Sequence, residues 1–380
     1  MPIYLDYHAT TPVDPRVFAA MTPYFMEVFG NPASTSHAVG LKARAAVEQA
    51  RARIAACLHA TSPREIVFTS GATESNNLAI KGVARTCGPR GRHVITAVTE
   101  HKAVLNACKA LQDDGYDVTL LPVQPDGRVS VADVVAALRS DTVLVSVMHA
   151  NNEIGVVQEI AALGALCRAR GVLLHTDATQ SFGKVSVDVQ ALQVDLVSMS
   201  AHKMYGPKGV GALYVRSPCR LAPQLDGGGH EGGLRSGTLN VPGIVGLATA
   251  VELSCADLDQ DRRKQRRLRD RVWVALREAC PDVLLNGPDP LTNPEARLPN
   301  NLNVSLPAAA GAALLAAFGD EVAVSTSSAC TSASGEASHV LTALGRAAGL
   351  VNLRISVGRP TTDDEIDQVV ARIARSAVRA

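Results

Sequence analysis

The sequence predicts an α/β fold, with a large domain built on a mostly parallel sheet and a smaller α+β domain. Three observations carry that expectation. From about residue 36, segments of helical periodicity alternate with short strand-like segments, as in a sheet covered by helices. Several strand segments, Thr142 to Met148 foremost, are almost continuously apolar, as strands buried on both faces are. Near residue 255 the alternation gives way to a charged helix, a Pro/Asn/Gly-rich stretch and short mixed elements.

Gly40 to Ala60, rich in Ala, Arg and Glu, reads as a long amphipathic helix. Glu65 to Thr69 reads as a strand, followed by the small-residue turn Ser70 to Thr73 and another helix. His93 to Ala97 then reads as a strand, Lys102 to Asp113 as a helix and Val118 to Val123 as a strand. Val172 to Asp177 and Asp195 to Ser200 repeat the apolar character of Thr142 to Met148. The basic run Arg262 to Arg271 reads as a solvated helix face, in preference to a patch for nucleic acid or an acidic partner. Asn286 to Asn301 is a loop-rich link, and Leu302 to Leu306 a strand beyond it.

With 47% hydrophobic residues among 380, the chain can bury a sizeable core. Lys+Arg at 37 against Asp+Glu at 36 leaves it near neutral, so global charge gives no argument for a nucleic-acid or membrane partner. Eight cysteines stand singly, without the paired spacing of a structural zinc site, and no metal is expected. The start, Met-Pro-Ile-Tyr-Leu-Asp-Tyr, lacks the basic and apolar regions of a signal peptide. The longest apolar run, Leu306 to Gly319, is too short to span a bilayer. Reduced thiols in the cytoplasm are the expectation.

Chemistry-bearing residues sit at the strand ends, where open α/β sheets bind ligands. Asp177-Ala178-Thr179-Gln180 ends one strand, and Ser200-Ala201-His202-Lys203 ends another before a glycine-rich turn. Lys203 is either a surface lysine on that turn or one that forms a Schiff base with a carbonyl cofactor. Asp177 strengthens the second reading, because pyridoxal phosphate needs a carboxylate against its pyridinium nitrogen. Ser70 to Asn76 is either an ordinary capped helix start or a phosphate site at a helix N-terminus. His101, after another strand, offers an imidazole to stack on a planar ring or to make a structural hydrogen bond.

Together these segments resemble the class V aminotransferase family, specifically its cysteine desulfurases of the iron–sulfur-cluster and nitrogen-fixation type. The markers run in order from Tyr4-Leu5-Asp6-Tyr7 through Thr69-Ser70-Gly71-Ala72-Thr73-Glu74-Ser75-Asn76, Thr99-Glu100-His101-Lys102 and His149-Ala150-Asn151-Asn152-Glu153. They continue with Asp177-Ala178-Thr179-Gln180, Ser200-Ala201-His202-Lys203, Arg235-Ser236-Gly237-Thr238 and Ser328-Ala329-Cys330-Thr331-Ser332. The resemblance implies an aspartate-aminotransferase-like homodimer of the fold-type I pyridoxal 5′-phosphate class. The large domain would be residues 14–255, and the smaller one residues 1–13 with 256–380. Lys203 would carry the cofactor, Asp177 its pyridinium nitrogen and Gln180 its phenolic oxygen. Ala72, Thr73, Ser200 and His202 would hold the phosphate, with Thr238 reaching in from the other subunit. His101 would stack on the ring and shuttle protons, while Asn152 and Arg354 would grip the carboxylate of L-cysteine.

The implied reaction converts L-cysteine to L-alanine and leaves the sulfur as a persulfide on a protein cysteine, for transfer to an acceptor protein. Cys57, Cys108 and Cys167 lie in apolar helical segments and read as core hydrophobes. Cys330 alone lies in a hydroxyl-rich stretch, Ser325 to Ser334, suited to a segment that carries a reactive thiol. Ser327 stands where the family has a glycine, which implies a stiffer backbone there. Gly335 to His339 lacks the family's usual proline, and the link from Leu344 to Leu353 is short. The end at Ala380 lacks the tail with which members of the family often dock a scaffold, which points to a dedicated acceptor such as an RNA- or DNA-thiolation system over a general iron–sulfur-cluster scaffold, the other acceptor the resemblance implies. The alternatives are a selenocysteine lyase or aminotransferase of the same fold, and a catalytically silent partner of a sulfur carrier.

Overall fold

The computed structural model describes residues 2–326, 338–346 and 349–377. The chain begins with strand β1 (Ile3–Tyr4) and the helices α1 (Pro15–Met21), α2 (Pro23–Met26) and α3 (Ala38–Cys57). The central run is β2 (Ile66–Thr69), α4 (Ala72–Cys87), β3 (His93–Ala97), α5 (Lys102–Asp113), β4 (Asp117–Leu121), α6 (Val131–Ala137) and β5 (Thr142–Ser146). It continues with α7 (Ile160–Arg170), β6 (Leu173–Asp177), β7 (Leu196–Ser200) and β8 (Gly211–Val215). Two helices follow, α8 (Val241–Ala256) and α9 (Leu258–Ala279), then β9 (Leu284–Leu285), β10 (Asn301–Leu306), α10 (Ala308–Phe318) and β11 (Val322–Ala323). The last elements are α11 (His339–Ala343), β12 (Val351–Ser356) and α12 (Asp363–Ala377).

The main sheet has seven strands in the order β2-β8-β7-β6-β5-β3-β4. The pairs β7–β6, β6–β5, β5–β3 and β3–β4 are parallel, and β8 is antiparallel to both its neighbours. Six strands therefore point the same way and β8 alone runs against them. That direction brings the C-terminal ends of β2, β3, β5, β6 and β7 to one edge, where crossover sheets leave a crevice. β5, β7 and β8 are buried along their whole length, which is why their sequences are apolar without alternation. β8 is absent from the sequence reading: Gly211-Ala212-Leu213-Tyr214-Val215 follows a glycine-rich turn and has no polar terminus to mark it.

Helices cover both faces. On one, Val47, Ile54, Phe68, Val145, Leu174, Met199 and Leu247 belong to a single apolar cluster; on the other, Ile80, Val83, Val94, Val104 and Leu144 do. A separate cluster joins Ile3 and Leu5 to Leu268, Trp273, Leu302, Leu353 and Ile366. There β10 pairs antiparallel with β12 and β9, and β1 pairs parallel with β11.

The basic run lies in α9 and is solvated in part. Arg262 and Arg266 pair with Glu295, and Arg267 and Arg271 pair with Asp363. Arg269 departs from that reading: fully buried, it donates to the Leu298 carbonyl at 3.0 Å and to Asp270 at 2.7 Å. Cys108 and Cys167 are core residues as expected. Cys57 is only half-buried, at the end of α3, and its thiol is held below its ordinary value, foremost by the thiol of Cys255 on α8. No single helix among the described residues is long and apolar enough to cross a membrane.

Candidate active site

A cavity of about 530 Å³ opens at the C-terminal edge of the sheet. Its lining includes Ala72 and Thr73 from α4, His101 before α5, Asn152 after β5, and Asp177 and Gln180 from β6 and the turn after it. Ser200, His202 and Lys203 from β7 and its turn line it too, and β12 contributes Arg354. Ten candidates scattered over 283 positions thus meet in one place. Thr238 does not line it and lies exposed in the segment before α8. Cys330 and Ser327 lie outside the described residues.

The Lys203 turn is built by close approach. β7 ends at Ser200, one 3₁₀ turn spans Ala201–Lys203, and the chain doubles back so that Gly206 N–H donates to the Ala201 carbonyl at 3.0 Å. A Cβ on Gly206 would stand 2.7 Å from that of Ala201, so only glycine closes this turn. Lys203 Nζ donates to the carbonyls of His8 at 2.6 Å and Ala9 at 2.7 Å. Gln180 Nε2 shares the His8 carbonyl at 3.0 Å. His8 was not anticipated, because its contribution is a backbone oxygen about 195 positions from the lysine it receives.

Asp177 is buried and doubly held. Its Oδ2 accepts from Asn76 Nδ2 at 2.7 Å, and its Oδ1 accepts from the Thr179 N–H at 2.9 Å. Asn76, fully buried on α4, is a second residue that sequence reasoning passed over as part of a helix start. Beneath the strand end, His175 bridges the hydroxyls of Ser146 at 2.8 Å and Ser198 at 2.9 Å.

Gly71 takes φ +151°, a conformation that favours glycine, and lets α4 begin against β8, where a Cβ on Gly211 would meet Gly71 at 2.7 Å. The 16-residue α4 therefore presents its N-terminus to the cavity beside the hydroxyls of Thr73 and Ser200 and the ring of His202. This donor set suits an anion. His101 doubles as the N-cap of α5, its Nδ1 accepting from the Ala103 N–H at 3.1 Å. A ring nitrogen that accepts carries no proton, so the neutral imidazole holds its proton on Nε2.

Arg354 is buried, with Nη2 on Asp6 Oδ1 at 2.8 Å and Nη1 on the Asn152 carbonyl at 3.1 Å, while its Nε has no partner among the described residues. The fork expected for a substrate carboxylate is thus partly engaged by Asp6. His202 is pushed down to about 4, first by burial and then by the charges of Lys203, Lys208 and Lys184. Burial likewise holds His149 at about 4 and His8 well below its ordinary value. Glu100, buried below His101, has its carboxyl pushed well above the usual range by burial.

The family model for aminotransferase class V matches residues 3–369. The chain belongs to this family. The cysteine desulfurase IscS of Anaeromyxobacter dehalogenans (strain 2CP-C) is 53% identical over 374 residues, covering 97% of this chain and 91% of that protein. Among solved structures, a NifS-like protein superposes with a TM-score of 0.90 at 37% identity, with both chains covered completely. SspA in complex with cysteine superposes with a TM-score of 0.83 at 38% identity, over 94% of this chain and 99% of that one.

Proposed function

We propose that this chain is a pyridoxal 5′-phosphate-dependent cysteine desulfurase. It releases L-alanine from L-cysteine and holds the sulfur as a persulfide on Cys330 for an acceptor protein. One observation carries the reading: a single cavity gathers the Lys203 amine, the clamped Asp177 carboxylate and an anion-accepting helix N-terminus. The activity of the curated relatives and the cysteine-bound neighbour support it.

The residues present fit the cofactor. Gln180 Oε1 and Thr179 Oγ1 are buried without hydrogen-bond partners among the described residues, as polar atoms that receive a bound group would be. Lys203 would hold the aldehyde carbon, Asp177 the ring nitrogen, Gln180 the phenolic oxygen, and Ala72, Thr73, Ser200 and His202 the phosphate. When bound, pyridoxal phosphate supplies an electron sink for the carbon that loses a proton.

The chain's own residues do the rest. Asp177, fixed by Asn76 and the Thr179 N–H, presents its carboxyl group to the cavity. Lys203 Nζ takes the proton from Cα of the substrate. Asn152 and the remaining guanidinium donor of Arg354 orient its carboxylate. His101, its Nδ1 engaged by the cap of α5, offers Nε2–H as a hydrogen-bond donor. The Cys330 thiolate attacks the substrate sulfur: an S–S bond forms, the Cβ–S bond breaks, and its electron pair stays with the carbon skeleton, which takes a proton to become alanine.

Access for Cys330 is supported by what flanks it. Ser325 exchanges backbone hydrogen bonds with Arg354, at 3.2 and 2.7 Å. On the far side, the Ser338 hydroxyl donates to Glu153 and His339 Nε2 to the Glu100 carbonyl at 2.9 Å. The five residues that follow Ser325, ending at Cys330, can span up to ~17 Å when fully extended, enough to cross a cavity of this size.

The division into residues 14–255 and 1–13 with 256–380 is supported by the separate apolar cluster that joins Ile3 and Leu5 to the C-terminal elements. A homodimer is supported by the exposed Phe18, Phe25, Met26 and Phe29, and it would bring Thr238 of one subunit to the phosphate of the other. The unpaired thiols among the described residues support a reducing, cytoplasmic setting. The test is incubation with L-cysteine and assay of alanine and sulfide. Cys330→Ala is expected to bind pyridoxal phosphate and lose turnover by ~100-fold or more. Desulfuration by that variant at the wild-type rate would overturn the assignment.

A further inference from the structure

A second lysine sits against the Lys203 turn and has no part in the chemistry above. Lys184 follows Gly183 in the turn beyond β6 and is 6% exposed. Its Nζ donates to the Gln180 carbonyl at 2.9 Å and to the Lys203 carbonyl at 3.2 Å. Both acceptors are backbone oxygens, and no carboxylate among the described residues pairs with it. α8 closes over the turn: a Cβ on Gly183 would meet that of Ser254 at 2.8 Å. An amine buried in this way is costly unless its position serves something.

The charged and titratable groups that interact with it are Lys203 and His202 on the turn after β7 and His8 from the N-terminal segment. Each is cationic or a neutral imidazole. Burial first, and then the charge of Lys203, brings the Lys184 amine down to about 7, so it is below that pH that Lys184 stands as a cation. Like charges close together in a poorly solvated site do not both ionise freely, and the coupling acts equally on both members.

We propose that Lys184 is a positioning residue for Lys203: its amine ties the carbonyls of Gln180 and Lys203 together and stands as a second cation that disfavours protonation at Lys203 Nζ. This rests on the reading that Lys203 carries pyridoxal phosphate. Two residues expected to contact the cofactor are then held by one side chain that never touches it. A cation placed there keeps the Lys203 nitrogen available as a base and nucleophile.

The test is a pH titration, followed by visible absorbance, of the purified chain loaded with pyridoxal phosphate. A neighbouring positive charge disfavours the protonated nitrogen, so its removal raises the midpoint. Lys184→Met is expected to raise it by about one unit, a tenfold rise in proton affinity. Lys184→Arg, which keeps the charge, is expected to stay near wild type. If the Met variant does not fold, Lys184→Gln keeps donors for the carbonyls without the charge and is expected to show the same rise. An unmoved midpoint in the charge-free variants, or an Arg variant that moves as far as they do, would overturn the proposal. A wild-type chain with no titrating band would instead overturn the functional reading, and this one with it.

Discussion

Asn76 shows how much of the site depends on a residue outside the chemistry. Its amide donates to Asp177 across 101 positions, and truncation would leave a buried carboxylate with one donor fewer. Asn76→Ala is expected to cost about 1–3 kcal/mol of stability and to weaken retention of pyridoxal phosphate roughly tenfold. Equilibrium dialysis of the cofactor checks the second part, and retention at wild-type strength would count against the clamp. Lys203 and Asp177 were legible in the sequence because each ends a strand in a local pattern of small and polar residues. The His8 carbonyl was not legible, because a backbone oxygen leaves no mark on residue type. The partial engagement of Arg354 by Asp6 was also hidden, since 348 positions separate them.

At the scale of elements, the turn after β7 is the sharpest construction in the site. Gly206 lies so close to Ala201 that even one methyl group would push on the turn that carries Lys203. Gly206→Ala is therefore expected to destabilise the chain by about 1–3 kcal/mol through overpacking. Urea unfolding followed by circular dichroism would show a lower midpoint with an unchanged slope. The strands β3, β5, β6 and β7 were readable from their apolar runs to within a few residues. β8 was not, although it is the strand that lets α4 begin close to β7. Its Gly211 serves a close approach between backbones, which sequence records only as one more glycine.

Across the whole molecule, burial sets a pH dependence that is independent of catalysis. His149 and His175 are fully buried and held at about 4, mainly by desolvation. In the unfolded chain they titrate near pH ~6.5, so between these values the unfolded state binds more protons than the folded one. Their contribution to stability is complete above pH ~6.5 and is lost as pH falls toward about 4. The expected outcome is a thermal midpoint several degrees lower near pH ~5 than near pH ~7.5. Equal midpoints at the two pH values would show that the histidines are solvated in the folded chain.

The sequence by itself determined the class of fold, the family resemblance and the identity of the residues that converge at the cavity. It could do so because apolar runs, strand-end polarity and glycine turns are local properties of the chain. The tertiary structure alone decided that Asn76 clamps Asp177, that Arg269 is buried while its basic neighbours pair at the surface, and that Lys184 faces Lys203. Each of these depends on distance and desolvation between segments remote in sequence, and neither quantity is encoded in any single stretch of residues.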